Sequence, residues 1–190
     1  MISKSALRAY ALEARQSIPA ARLLSKSRLV EKNLSSREEY RAAKTVATYV
    51  SKEDEVQTRE LILRMLGDGK RVAVPRVDPD SKNLQFLEIG SLEVLRPGRF
   101  GVLEPGLGRP PVPLNRCDLA VVPLIAWDEL GHRIGYGKGY FDRALARRGR
   151  CLSIGLALES QRVERVPVEP SDVTLDMIVT EKRVLRFKEV

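Results

Sequence analysis

The spacing of apolar and polar positions changes several times along the chain, and each change marks an element. Over residues 4–17, Leu7, Ala11 and Ala14 recur at helical spacing among charged side chains, which predicts an amphipathic helix. Ile18-Pro19 ends it. Helical patterning resumes over residues 20–34 and briefly over 36–43. Residues 45–50, TVATYV, form an apolar, β-branched run that predicts a buried strand. Residues 55–66 read as a helix closed by Gly67 and Gly69. Arg71–Val77 and Leu84–Ile89 read as strands, the second shorter, alternating and nearer an edge. Between residues 96 and 115 five prolines, Pro97, Pro105, Pro110, Pro111 and Pro113, remove any period and predict a long irregular connection, functional or mobile. The strongest strand signal is DLAVVPLIAW, residues 118–127. A glycine-rich loop follows, then a helix over 140–148 with Gly149 at its end, a buried strand over 152–158, and a closing strand or hairpin over 177–187. Continuous apolar strands alternating with helices predict an α/β fold. The expected form is a three-layer sandwich whose mostly parallel central sheet is covered by helices on both faces, in a single domain over residues 1–190.

Composition narrows the chemistry. The chain has 33 Lys+Arg against 25 Asp+Glu, a formal charge of +8, which suits an anionic partner such as a nucleotide or a polycarboxylate without choosing between them. Only 5% of residues are aromatic, so stacking surfaces for nucleic acid are sparse and a nucleic-acid partner is not expected. Cys117 and Cys151 each open an apolar run and read as buried small hydrophobes rather than a disulfide framework. His132 is the only histidine and there is no CxxC pair, which argues against a zinc site of nitrogen and sulfur ligands and against a Ser-His-Asp triad. The opening MISKSALRAYALEARQ has no signal-peptide core, and the longest apolar run, Leu119 to Trp127, is too short to span a bilayer. A cytoplasmic protein without a membrane partner is expected.

The stretch GHRIGYGKGYFDR, residues 131–143, holds four glycines and places Lys138 between two of them. It lies between a strand and a helix, at the carboxyl end of a buried strand, where α/β proteins commonly bind ligands. Gly135, Gly137 and Gly139 alternate with Tyr136, Lys138 and Tyr140. Alternating glycines let successive N–H groups converge on an anion, and the helix start adds its positive dipole end. The pattern is neither a P-loop, since glycine follows Lys138 where Ser or Thr is needed, nor a GxGxxG fingerprint. Asp142 sits in the first helical turn. It either compensates the helix dipole or, beside phosphate, serves as a Mg²⁺ ligand. Lys4 and Arg8 share a helix face at i,i+4, which by itself describes a solvated basic surface.

VVPLIAWDELGHRIGYGKGYFDR resembles the signature of the 5-formyltetrahydrofolate cyclo-ligase family, also called 5,10-methenyltetrahydrofolate synthetases. The likeness extends to KSALR near the start, to YVSKEDEVQT, to FGVLEPG in mid-chain and to VPVEPSDVTLDMIVTE, all in the family's order. Three positions depart from it: Trp127 stands where Phe is usual, Phe141 replaces a second Tyr, and Ser171 stands where many members carry His. Without the second Tyr hydroxyl, one hydrogen bond to a ligand is lost.

The resemblance implies an enzyme that uses ATP and Mg²⁺ to cyclise 5-formyltetrahydrofolate to 5,10-methenyltetrahydrofolate, releasing ADP and phosphate. Such chemistry rests on positioning and charge neutralisation and needs no Cys or His nucleophile. It further implies that ATP is held by Lys4, Arg8, Arg133, Ile134, Gly135, Tyr136, Gly137, Lys138, Gly139, Tyr140 and Phe141, with Lys138, Arg133 and Tyr140 closest to the chemistry. Asp142 and Asp172 match the Mg²⁺-associated carboxylates, and Val50, Glu55 and Tyr140 the substrate contacts. Tyr140 and Trp127 can pack on a pterin or adenine ring, although Trp127 equally suits a core. Glu104 is either a turn residue or a pocket wall. The expected partners are ATP and 5-formyltetrahydrofolate, including polyglutamylated forms, and a monomer is expected. The alternatives are a relative with the same fold that binds RNA or protein without turnover, and an ATP-dependent enzyme for another carboxylated substrate, folate-like or related to thiamin.

Overall fold

The computed structural model describes residues 3–78, 80–81, 83–106 and 108–187. Among the described residues there are five α-helices, α1 (Lys4–Gln16), α2 (Ala20–Ser35), α3 (Glu38–Ala42), α4 (Arg59–Gly67) and α5 (Tyr140–Leu145), and strands β1 (Thr45–Ala47), β2 (Arg71–Val77), β3 (Leu84–Ile89), β4 (Leu95–Pro97), β5 (Leu103–Pro105), β6 (Leu119–Val122), β7 (Ala126–Trp127), β8 (Arg133–Ile134), β9 (Leu152–Leu156), β10 (Met177–Val179) and β11 (Val184–Arg186). A seven-stranded sheet runs in the order β11-β10-β9-β6-β1-β2-β3. Its central strands β10, β9, β6, β1 and β2 are parallel, and each edge is an antiparallel strand. The chain leaves β1 for β2 on one side and returns to β6 on the other. The strand order therefore reverses between β1 and β6, and a crevice opens outside their carboxyl ends.

The two faces of the sheet bury different side chains because strand residues alternate. One face carries Val46, Val72, Val74, Val121, Ile154 and Val179, and against it pack Leu34 of α2, Tyr40 of α3 and Leu61, Ile62 and Met65 of α4. The other face carries Ala47, Ala73 and Ala120. Their small side chains cluster with bulky ones, Trp127 of β7 and Leu145 of α5 from the covering layer and Phe86 of β3 from the sheet itself. This second layer is mostly hairpin and loop with one short helix. α1 packs through Leu7 and Ala11 on Ile125, Ala126, Ile134 and Val166 and so lies over the β7–β8 hairpin. Ser3 caps α1, its hydroxyl accepting from the Ala6 N–H at 3.2 Å.

The mostly parallel sheet and the C-terminal hairpin match the pattern-based expectation, while several boundaries shift. The strand expected over 45–50 ends at Ala47. The helix expected over 55–66 starts at Arg59, because Glu55 and Gln57 turn their side chains back on the loop: the Lys52 N–H donates to Glu55 Oε2 at 2.8 Å, and Gln57 Nε2 donates to the Lys52 carbonyl at 2.7 Å. The run 118–127 is two elements, since Pro123 has no N–H for the ladder and the chain leaves the sheet there. The helix expected over 140–148 ends at Leu145, and the strand over 152–158 ends at Leu156. The proline-rich connection contains a short antiparallel hairpin, β4–β5.

Candidate active site

A cavity of about 1240 Å³ occupies the crevice at the carboxyl ends of β1 and β6. Every residue assigned by resemblance to nucleotide, substrate or metal lines it, although those residues come from α1, the 48–58 loop, β8, the glycine loop, α5 and the loop before β10. The topology brings them together: each segment follows or approaches a carboxyl end of the parallel sheet.

The glycine loop runs from β8 into α5. Gly137 and Gly139 adopt φ of 82° and 64°, a left-handed backbone that strains other residues. A Cβ at Gly137 would also lie 3.1 Å from the Arg8 guanidinium carbon. Arg8 reaches up from α1, its Nε donating to the Gly135 carbonyl at 2.7 Å, so α1 holds the loop from below. Lys138 is exposed at the cavity and makes no side-chain hydrogen bond among the described residues. Ile134 is 1% exposed and packs with α1, so only its backbone faces the site. Phe141 packs into the sheet layers, edge-on to Phe86 with ring centroids 6.2 Å apart. Its departure from Tyr therefore sits largely in the core.

Arg133, with a side chain 5% exposed, donates to Asp142 Oδ1 at 2.7 Å and to the Val173 carbonyl at 2.6 Å. Burial lowers its pKa below the ordinary arginine value, against the pull of Asp142 and Asp172. The Val173 N–H donates to the same Asp142 oxygen at 3.1 Å, so Asp142 ties α5 to the 169–173 loop. Asp172 accepts from Lys4 Nζ, and from the Glu169 N–H at 2.7 Å. Lys4 thus rests on the carboxylates of Asp172 and, at 3.5 Å, Glu169. Two carboxylates in one cavity fit Mg²⁺, which takes one or two protein carboxylates and completes its shell with phosphate and water. No cluster of three or more metal-ligating side chains exists among the described residues.

Glu55 also lines the cavity. It is 5% exposed and lies in a turn rather than at a helix start. Its Oε1 accepts from the Tyr136 hydroxyl at 2.8 Å. That hydroxyl accepts from Arg15 NH2 at 2.7 Å, and Arg15 also holds Asp54 at 2.6 Å. Tyr136 thus links the glycine loop to Glu55. Burial raises its pKa, and the charge of Glu55 adds to that against the opposing Arg15. Burial also acts to lower Arg15, but Tyr136 and Asp54 outweigh it and hold the guanidinium protonated. Val50 is a half-buried wall nearby.

The β4–β5 hairpin forms the remaining wall. Phe100 at its tip adopts φ 60°, unusual outside glycine, and faces Tyr140 with centroids 6.3 Å apart. Pattern reading missed Phe100 because its segment carries no period. The sharp Pro97-Gly98 and Phe100-Gly101 turns were the available signal. Glu104 is 8% exposed and lines the cavity, so it is a pocket wall. Trp127 is fully buried, and its Nε1 donates to the Leu158 carbonyl at 3.1 Å. This excludes it from ring stacking with a ligand. Asp128, also unexposed, was not singled out. Its Oδ1 accepts from the Leu130 and His132 N–H groups and its Oδ2 from the Val166 N–H, each at 3.0 Å, which pins the β7–β8 turn.

Residues 1–181 match the model of the 5-formyltetrahydrofolate cyclo-ligase family. The chain is 38% identical over 146 residues to the 5-formyltetrahydrofolate cyclo-ligase of Escherichia coli K12, covering 75% of this chain and 80% of that one. It is 30% identical over 189 residues to that of Mycolicibacterium smegmatis, covering 95% of each. The NMR structure of the Aquifex aeolicus 5,10-methenyltetrahydrofolate synthetase superposes with a TM-score of 0.88 at 33% identity, over 100% of this chain and 95% of that one.

Proposed function

The chain belongs to the 5-formyltetrahydrofolate cyclo-ligase family, and from that premise we propose that it cyclises 5-formyltetrahydrofolate to 5,10-methenyltetrahydrofolate at the expense of ATP, with Mg²⁺. The formyl oxygen is a poor leaving group. Transfer of the γ-phosphoryl group of ATP to that oxygen activates the formyl carbon and releases ADP. N10 then attacks the carbon and gives up its proton, and phosphate departs as the ring closes.

The chain's own residues divide this work. Lys138, Arg8 and the loop N–H groups neutralise nucleotide phosphates, and Lys4 and Arg133 stand close enough to join them as their carboxylate partners turn to the cation. Asp142 and Asp172 would hold Mg²⁺, which when bound offsets the charge of the transferring phosphoryl group. Tyr140, between Phe100 and the loop, offers an aromatic wall where the two substrates meet. Glu55 accepts hydrogen bonds from pterin N–H groups beside the apolar wall of Val50. The formal charge of +8 suits two anionic substrates, polyglutamylated folate included.

What supports the reading above all is one cavity at the reversal of strand order, lined by both a cationic glycine loop and a buried carboxylate. A spectrophotometric assay tests it. The methenyl chromophore is expected only when ATP and Mg²⁺ are both present, with ADP as coproduct. Folded protein that binds ATP yet forms no methenyl product would shift the substrate elsewhere.

A further inference from the structure

Tyr136 is carried by the loop that offers Lys138 to a phosphate, and its hydroxyl meets a buried carboxylate of the same cavity. It donates to Glu55 Oε1 at 2.8 Å and accepts from Arg15 NH2 at 2.7 Å. Arg15 is a firm anchor. Its side chain is 1% exposed and also donates to Asp54 Oδ2 at 2.6 Å and to the Leu124 carbonyl at 3.3 Å. The Lys52 ammonium stands 4.5 Å from the centre of the Tyr136 ring. Three segments therefore meet at one hydroxyl: α1, the turn after β1, and the glycine loop. On either side of Tyr136 the backbone is glycine, with Gly135 before it and Gly137, at φ 82°, after it. Such a loop holds little shape of its own, because glycine loses the most conformational freedom on ordering. Arg8 holds the Gly135 carbonyl and Arg143 Nη1 the Lys138 carbonyl at 3.0 Å, while the Tyr136 hydroxyl is the contact that ties the loop to Glu55.

We propose that Tyr136 is a positioning residue that couples the two substrates, its hydroxyl bond to Glu55 making an ordered glycine loop and an oriented carboxylate parts of one arrangement. The proposal rests on reading the site as a folate cyclo-ligase. A nucleotide that orders the loop on its phosphates holds the hydroxyl in place and thereby holds Glu55 ready for pterin N–H groups. A folate that engages Glu55 holds the hydroxyl in turn and pre-orders the loop. Whichever ligand arrives first meets the ordering cost, and the second binds a site already formed. Linkage requires the effect to be mutual, with the same factor in both directions.

Calorimetry on the full chain reads that factor directly. The dissociation constant of 5-formyltetrahydrofolate is measured with and without a non-hydrolysable ATP analogue and Mg²⁺, for the wild-type chain and for Tyr136→Phe. The ring is kept in the variant and only the hydroxyl is lost. In the wild type the analogue is expected to tighten folate binding by about tenfold, within the usual range of coupling between sites. In Tyr136→Phe the factor should fall to about twofold or less, whatever change in the analogue's own affinity the loss of the hydroxyl brings. A tyrosine that served only the fold would lower the melting temperature and weaken both ligands without changing the ratio. An unchanged coupling factor in the variant, or no coupling in the wild type, overturns the proposal. A wild-type chain that neither binds 5-formyltetrahydrofolate nor forms the methenyl product overturns the functional reading and the coupling with it. That pattern differs from one in which both ligands bind independently.

Discussion

Side chains that the fold already uses and side chains it leaves free respond differently to substitution. Lys138 is exposed and has no side-chain partner among the described residues. Lys138→Ala should leave the melting temperature nearly unchanged, since such surface changes stay within about 0.5 kcal/mol. If Lys138 serves nucleotide phosphate, kcat/KM should fall roughly 10²–10³-fold, the usual cost of losing a preorganised donor. Normal turnover would make it a solvated loop residue. Asp142 and Asp172 differ in the same way. Asp142 bonds the buried Arg133 guanidinium, so Asp142→Asn should cost roughly 1.5–3 kcal/mol of stability, the range for hydrogen bonds to charged groups. Asp172 pairs with Lys4 nearer the surface, and Asp172→Asn should cost less than about 1 kcal/mol. Both variants should raise the Mg²⁺ concentration needed for half-maximal activity. The double variant should be less impaired than the product of the single effects, because both serve one site. Multiplicative losses with an unchanged Mg²⁺ requirement would refute a shared site.

The β7–β8 hairpin delivers Arg133 and the glycine loop to the cavity, and its turn is fixed by one residue. Asp128 precedes a left-handed Gly131, φ 83°, in a tight turn whose Gly131 N–H donates back to the Asp128 carbonyl at 3.2 Å. The buried carboxylate bonds the N–H groups of Leu130, His132 and Val166, and also His132 Nδ1. Asp128→Asn puts donors where acceptors are needed and leaves buried N–H groups unmatched, at a cost of about 1–3 kcal/mol each. In a chain of 190 residues a loss of about 2–3 kcal/mol lowers the melting temperature by roughly 4–12 °C. Differential scanning calorimetry checks this. A variant that melts like the wild type would mean that the turn holds its own shape. Activity below the transition should also fall, since the loop that follows β8 inherits its aim from this turn.

At the scale of the whole molecule, the groups that resist ionisation lie in the cores that flank the sheet. Cys117 and Cys151 are buried free thiols. Burial raises the Cys117 thiol to about 11, with the Asp118 charge adding to it. Burial likewise raises Cys151 to about 12. Burial raises Tyr40 and Tyr49 as well, each hydroxyl donating to an acceptor, Asp68 and the Val56 carbonyl. In the unfolded chain thiols ionise near about 8.5 and phenols near about 10. The folded state prefers the protonated forms, so their contribution is full below about pH 8.5 and is lost as pH rises through the raised values. The melting temperature should hold from neutrality to about pH 8.5 and then decline. Iodoacetamide at pH 8 should label neither cysteine until denaturant is added. Rapid labelling of the native chain would contradict the burial that raises both thiols.

Local rules sufficed where neighbours in sequence are also neighbours in space. The strand periods, the C-terminal hairpin and the glycine loop between strand and helix follow from residues a few positions apart, and the ordered likeness to one family supplied the candidate site. Other features needed the tertiary structure. Arg15 lies with Leu7 and Ala11 on the buried face of α1, and a charge is held there because Asp54 and Tyr136, far away in sequence, satisfy its guanidinium. Trp127 was open to either role until the Leu158 carbonyl took its N–H and the small alanines of the sheet made room for its ring. Glu55 looked like the first acid of a helix, but Lys52 and Tyr136 hold it in a turn. Lys4 looked free for phosphate, yet it rests on Asp172. The hydrophobic period fixes which face of an element is buried, because that depends on the chain alone. Which charge meets which across the cavity depends on how segments remote in sequence are brought to the carboxyl ends of one sheet.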